Sequence, residues 1–355
     1  MPLRLTEFPP RSEVRRVISP SYRTRAPEVV NAGLIPPDAR QQMSAAWDRR
    51  FVPEGAVSLY RLQDCFVVGE GLVFDRTLAL LRPSLTQHTP AEAEAGLAQL
   101  QRASEAGAVP TLPTALLCCK RGAANYGHWL VEMLPMAHMG LRWQVPGDAR
   151  FLVPAAPLAT VVRDSMALLG VGDDRLHGCG PPVHVGELFV VTGLSAHGIA
   201  LSPLALEALD AVAADIRPGP FRELWVSREG APRRLLDESA LCRELHRRGW
   251  AIAAPALFTV REQIALFKGA RRIGGVCGAG LANVAFAARG AAVTSFAPAN
   301  MPDTLYWLLC ELGDKRFREI RCPLQDGQRG IEPWDAPLLL TLPEALAGVG
   351  CSATT

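Results

Sequence analysis

Residues 271–298, RRIGGVCGAGLANVAFAARGAAVTSFAP, constrain the fold more than any other stretch. Residues 271–276 read as a short buried strand, and Cys277-Gly278-Ala279-Gly280 as a tight loop without bulk. Residues 281–286 carry helical apolar spacing, and 291–296 read as a second strand closed by Ala297-Pro298. A strand entering a glycine loop that opens a helix leaves backbone N–H groups unpaired at the positive end of the helix dipole, where a phosphate can sit. The loop alone is equally compatible with packing, since strand-to-helix turns often need glycine for close backbone approach. Its spacing is G-x-x-G-x-G rather than the dinucleotide fingerprint, and no acid follows the next strand to hold a ribose. NAD is therefore disfavoured.

The preceding segment repeats this alternation. Residues 223–227 (ELWVS) read as a strand with Arg228 at its carboxyl end, followed by a turn carrying Arg233 and Arg234. A helix over 237–248 stops at Gly249, 250–254 is the next strand, and Thr259-x-x-Glu262 has capping-box spacing for another helix. Cations and glycines after strand ends match the rule that ligands bind at the carboxyl ends of parallel strands. The N-terminal half is less regular. Residues 1–55 read as a Pro- and Arg-rich irregular arm with a short helix over 39–50, lying on the first domain. Strands are expected within 56–81 and over 115–120, 150–154 and 187–192, with helices over 90–105 and 158–169. The pattern changes at 193–206. A chain of 355 residues with 49% apolar content thus reads as two α/β domains, 1–200 and 201–355.

Net charge of +2, few aromatics and no long basic run argue against a nucleic-acid groove. No apolar run reaches membrane-spanning length, and residues 1–16 hold no signal-peptide core. Nine cysteines without a C-x-x-C pair argue against a disulfide framework and a structural zinc site. A reducing cytoplasm is the expected setting, with attachment to the inner face of a membrane left open.

A second stretch, Asn125-Tyr126-Gly127-His128-Trp129-Leu130-Val131-Glu132-Met133-Leu134-Pro135, reads as a loop passing into a helix. His128 and Glu132 are four apart, so on a helix their side chains can meet. An imidazole held by a carboxylate keeps one tautomer and gains basicity, as a general base must. Trp129, Leu130, Met133 and Leu134 supply a core face, so the pair also fits a bridge between two elements.

Three ordered stretches resemble the family-61 glycosyltransferases. Residues 125–132 are similar to the family's N-Y-x-H-W-x-x-E motif. Val226-Ser227-Arg228 with Arg233-Arg234 and Asp237-Glu238 resembles its strand-S-R…R-R…N-E pattern. Gly278-Ala279-Gly280-Leu281 with Asn283 and Phe286 resembles its H-G-A-G-L-x-N-x-x-F loop. The resemblance implies a GT-B-like α/β fold of two Rossmann-like domains facing a cleft, the C-terminal one binding a nucleotide sugar, with UDP the expected nucleotide. It further implies inverting transfer to a glycan or polysaccharide hydroxyl, as in capsule synthesis, without metal or other cofactor. On that reading His128 or Glu132 is the base. Arg228, Arg233, Cys277, Gly278, Ala279, Gly280, Leu281 and Asn283 bind the donor. Cys277 stands where the family has His, and Ser295 where its strand often ends in Glu. These departures keep open a catalytically silent nucleotide-sugar-binding protein, and a purely structural module is the remaining alternative.

Overall fold

The computed structural model describes residues 3–325 and 335–351. Contacts divide the chain into two units. The first comprises Met1–Pro20, Glu54–His197 and Ser202–Val212; the second comprises Ser21–Pro53, Gly198–Leu201 and Ala213–Thr355.

The first unit is built on a nine-stranded mixed sheet. Its spine is the strand Gly55–Val68, which pairs antiparallel with Glu13–Ser19, Leu72–Phe74 and Val183–Thr192. A short turn at 69–71 forces the antiparallel return, since parallel pairing needs a long crossover. On the far side of Val183–Thr192, the strands Thr111–Leu117, Arg150–Val153 and Leu176–Gly178 run parallel. Continuous parallel pairing in this half thus spans four strands, and the rest of the sheet is mixed. The helix Pro90–Glu105 is capped by reciprocal bonds between Thr89 and Glu92 and packs Ala93, Leu97 and Leu100 on Val68, Leu72 and Phe74.

The second unit holds a six-stranded, wholly parallel sheet in the order Ala251–Ala253, Glu223–Val226, Arg272–Val276, Ala292–Pro298, Arg316–Cys322, Glu28–Val30. Its core joins Trp225, Val276, Phe296 and Ile320 of the strands to Leu241, Leu245 and Leu346 of covering helices. The N-terminal arm departs from expectation in two ways. Residues 13–19 are a strand of the first sheet, and 21–53 group with the second unit instead of lying on the first. The anchor is Arg321, wholly buried, which lies over Trp47 and contacts Met43 of the helix Pro37–Trp47. Proline density had masked these short elements.

Residues 272–298 form the expected strand–loop–strand unit, with Gly275 opposite Ser295 in parallel register. The connection is not the expected α-helix. Residues Ala279–Phe286 form 3₁₀ turns, with Leu281 N–H donating to Gly278 O at 2.8 Å. Asn283 is the reason: its buried Nδ2 donates to Gly280 O at 3.0 Å and to Gln263 Oε1 at 2.9 Å. A side chain thus takes a carbonyl that an α-helical ladder would use. Among the described residues no helix is long and apolar enough to cross a membrane.

Asn283→Ala should lower unfolding stability by about 1–3 kcal/mol, because it strands the Gln263 amide oxygen in the interior. Urea denaturation reads this directly, and an unchanged midpoint would show that the clamp does not shape the loop.

Candidate active site

In the first unit one carboxylate gathers three side chains. Asn125 begins the assembly as a helix cap, its Oδ1 accepting from Gly127 N at 2.8 Å and His128 N at 3.4 Å. Tyr126–His128 starts as α-helix, Trp129–Met133 widens into a π-helical turn, and Leu134–Arg142 resumes as α-helix. Pro135 accounts for the widening, because it has no N–H for the Val131 carbonyl and its ring would strike it. Trp129 fastens the turn, with Nε1 donating to Ser165 Oγ at 2.9 Å.

Glu132 sits in this turn, 4% exposed. Its Oε2 accepts from His128 Nδ1 at 2.5 Å, while Oε1 lies 2.9 Å from Lys120 Nζ and 3.4 Å from His197 Nδ1. Lys120 follows the strand Thr111–Leu117 and His197 follows Val183–Thr192, so both arrive from the carboxyl ends of adjacent parallel strands. The two imidazoles stack with centroids 4.9 Å apart and planes 15° from parallel. Gly122, at φ 89°, lets the loop pass over the His128 ring, where a β-carbon would lie 3.0 Å from the ring carbons.

Burial alone would raise the Glu132 pKa. Hydrogen bonds from His128 and His197 and the Lys120 charge outweigh it and hold the carboxyl well below its ordinary value of 4.5. An ionised Glu132 fixes the His128 proton on Nδ1 and leaves Nε2 as a lone-pair acceptor. The His128 side chain is 21% exposed and that of Glu132 only 5%, so of the two candidates only the imidazole reaches solvent to any extent. His128, Glu132 and His197 also present ligand atoms within 4.8 Å of one another, close enough for a metal ion. Lys120 works against a cation there, because its ammonium already lies beside the same carboxylate.

Sequence reasoning missed Lys120 and His197. One signal was available: the chain has three lysines against thirty-four arginines, and one of them ends the apolar run ALLCCK. An ammonium offers three donors from a compact charge, which suits a carboxylate shared with two imidazoles better than a planar guanidinium does. His197 carried no comparable signal, because it lies in the segment read as a domain change.

In the second unit Arg228 follows the strand Glu223–Val226, and its guanidinium rests on Gly278, where a β-carbon would lie 1.9 Å from Nη1. The Arg228 Nε donates to Arg233 O at 2.8 Å, and its backbone N–H donates to Glu238 Oε1 at 2.9 Å. Burial, then the neighbouring Arg233 charge, lowers the Arg228 pKa. Among the described residues Arg228 makes no ion pair, while Arg233 Nη2 lies 3.7 Å from Asp335 Oδ1 and its Nε is buried without a hydrogen-bond partner. One carboxylate beside two adjacent guanidiniums, next to the N–H groups that open a helical turn, leaves an arrangement that can receive an anion.

Three sequence candidates play other parts. Cys277 is buried with Sγ 3.4 Å from Met301 Sδ, and burial pushes its thiol up to about 12. Its neutral thiol packs in the interior. Leu281 is core, and Asn283 spends its amide inside the loop. Gly278, Ala279 and Gly280 remain as backbone. Ser295 is fully buried, with Oγ lacking a hydrogen-bond partner among the described residues.

Each unit thus holds one cluster: an imidazole paired with a buried carboxylate in the first, and two adjacent arginines beside glycine backbone on the parallel sheet of the second. Residues 126–294 match the family model Glycosyltransferase 61. A domain of that family thus spans just under half of the chain and indicates a glycosyltransferase. No curated protein matches the chain.

Lys120→Met should destabilise the protein by ~3–5 kcal/mol, as expected when one member of a buried ion pair is removed. Acid titration supplies a second check. The folded-state pKa of Glu132 is depressed, so its contribution is complete above about 4.5 and fades as pH falls toward the folded value. The stability difference between the native protein and Glu132→Gln should therefore shrink on acidification below that pH in urea titrations. A difference that stays constant or grows contradicts the ionised-carboxylate assignment.

Proposed function

We propose that this glycosyltransferase moves a sugar with inversion, and without a metal, from a UDP-linked donor to a hydroxyl of a glycan or polysaccharide, on a GT-B-like framework. The observation that carries the reading is the His128–Glu132–Lys120 chain: an imidazole with Nε2 free, held by a buried carboxylate that hydrogen bonds from His128 and His197, together with the Lys120 ammonium, keep ionised. His128 takes the proton of the acceptor hydroxyl as its oxygen bonds to the anomeric carbon. The bond from that carbon to the nucleoside diphosphate breaks on the opposite side, and the electron pair leaves with the phosphate. Glu132 offsets the imidazolium that forms.

Arg228 and Arg233, with the backbone of Gly278–Gly280, bind the diphosphate and stabilise its growing charge as it departs. Preorganised guanidiniums do here what a divalent ion does elsewhere, and Lys120 fills the cation's place beside Glu132. The choice of UDP follows from the family resemblance. The unpaired state of all nine cysteines supports a reducing, cytoplasmic setting.

Thermal unfolding with UDP, GDP and CMP in the presence of EDTA tests the donor site. A nucleotide at ~100 times its dissociation constant adds ~2.7 kcal/mol to stability, so UDP should raise the midpoint and the other two should not. Arg228→Ala should weaken that protection by roughly 10–100-fold in affinity, the worth of a charge-assisted contact. Gly278→Ala should do the same by displacing the guanidinium. Protection that needs a divalent ion contradicts the metal-free reading. With transfer assayed, His128→Ala should reduce kcat by ~100-fold or more with nucleotide protection intact.

A further inference from the structure

The helix Glu238–Arg247 buries one stripe, made of Glu238, Leu241 and Leu245. Spacings of three and four put these side chains on one helical face. The two leucines belong to the core of the second unit, yet the first member of the stripe is an acid, only 2% exposed. Burial raises the Glu238 pKa and outweighs the hydrogen bonds from Arg228, Trp225 and Ser227 that would lower it. Its Oε2 is sealed and has no hydrogen-bond partner among the described residues. A carboxyl kept here at a cost to the fold, where a hydrocarbon fits the pattern, points to function rather than stability.

The other oxygen does the joining. Oε1 accepts from Trp225 Nε1 at 3.0 Å and from the Arg228 backbone N–H at 2.9 Å. Trp225 is wholly buried in the core, so it fixes the carboxylate to the rigid part of the unit. Arg228 is where the chain leaves the sheet. Val226 pairs with Ala253 on one side and Gly275 on the other, and the Ser227 N–H still donates to Ala253 O at 2.8 Å. The Arg228 N–H comes next, beyond the strand pairing, and Glu238 supplies the acceptor that a shielded backbone donor needs. From that fixed backbone Arg228 lays its guanidinium on Gly278 and donates Nε to Arg233 O.

We propose, resting on the donor assignment made above, that Glu238 is a positioning residue for nucleotide binding: it ties the Arg228 backbone to the Trp225 core and so aims the guanidinium before a diphosphate arrives. The useful property is an oxygen at the right reach. Negative charge is not, because a carboxylate near an anion site repels the anion. Reach and charge are separable by substitution, since glutamine keeps the first and aspartate the second.

The test is calorimetric titration of the full chain with UDP, joined to hydrogen exchange at the Arg228 amide without ligand. Glu238→Asp retracts the oxygen by one methylene and should weaken UDP binding about tenfold, the equivalent of one lost hydrogen bond. Its Arg228 amide should also exchange faster. Glu238→Gln, the conservative variant, should bind UDP as tightly as the native protein and keep the amide slow. Equal weakening in Glu238→Gln, unchanged affinity in Glu238→Asp, or a fast Arg228 amide in the native protein overturns the proposal. The donor assignment is read apart from this. A native protein that ignores UDP, or an Arg228→Ala variant that binds it unchanged, removes that assignment and the proposal with it. Binding lost in Arg228→Ala but kept in Glu238→Asp sinks the positioning role alone.

Discussion

The ion pair between Lys120 and Glu132 carries the first unit's chemistry. A carboxylate so nearly sealed from water would ordinarily take up a proton. Here an ammonium at 2.9 Å and two imidazoles keep it charged. Each attached group comes from a different element: a strand end, the helical turn that precedes the widened one, and the segment after another strand. The charge therefore ties local folding to site geometry. It sets the tautomer of His128, with the proton on the nitrogen that faces Glu132. The cost of burying the charge is spread over a network, which is the arrangement in which buried ions are tolerated.

The second unit meets the opposite problem, because it gathers cations with too few anions. Arg228 can rest on the loop only because position 278 has no side chain. The loop keeps its shape because Asn283 and Gln263 close on each other. Replacing the family's histidine with Cys277 changes less than its position implies. The thiol turns inward to Met301, and Met301 in turn touches Arg233. Residue 277 thus reaches the paired arginines through Met301.

Much of this was legible in the chain itself. Alternating strands and helices from 223 onward announced a parallel sheet with cations after its strands. His128 and Glu132 were readable as a pair because helical spacing is a local rule. What was not legible depended on distance or on backbone detail. Lys120 and His197 reach Glu132 through sheet pairing, which no local period encodes. The 3₁₀ course of 279–286 follows from a side-chain bond to a residue twenty positions earlier. The arm was misplaced because the contact that orders it joins Met43 to Arg321.

The three lysines have one more consequence. Lys120 is committed to Glu132, Lys268 donates to Ala213 O, and Lys315 donates to Ala285 O. Every side-chain amine is thus occupied with an interior contact, while guanidinium supplies the other basic side chains. Guanidinium is always protonated and a poor nucleophile; a free amine is neither. A protein built this way offers acylating and carbonyl reagents almost no side-chain amine, and those it does have are guarded by the same bonds that hold the fold.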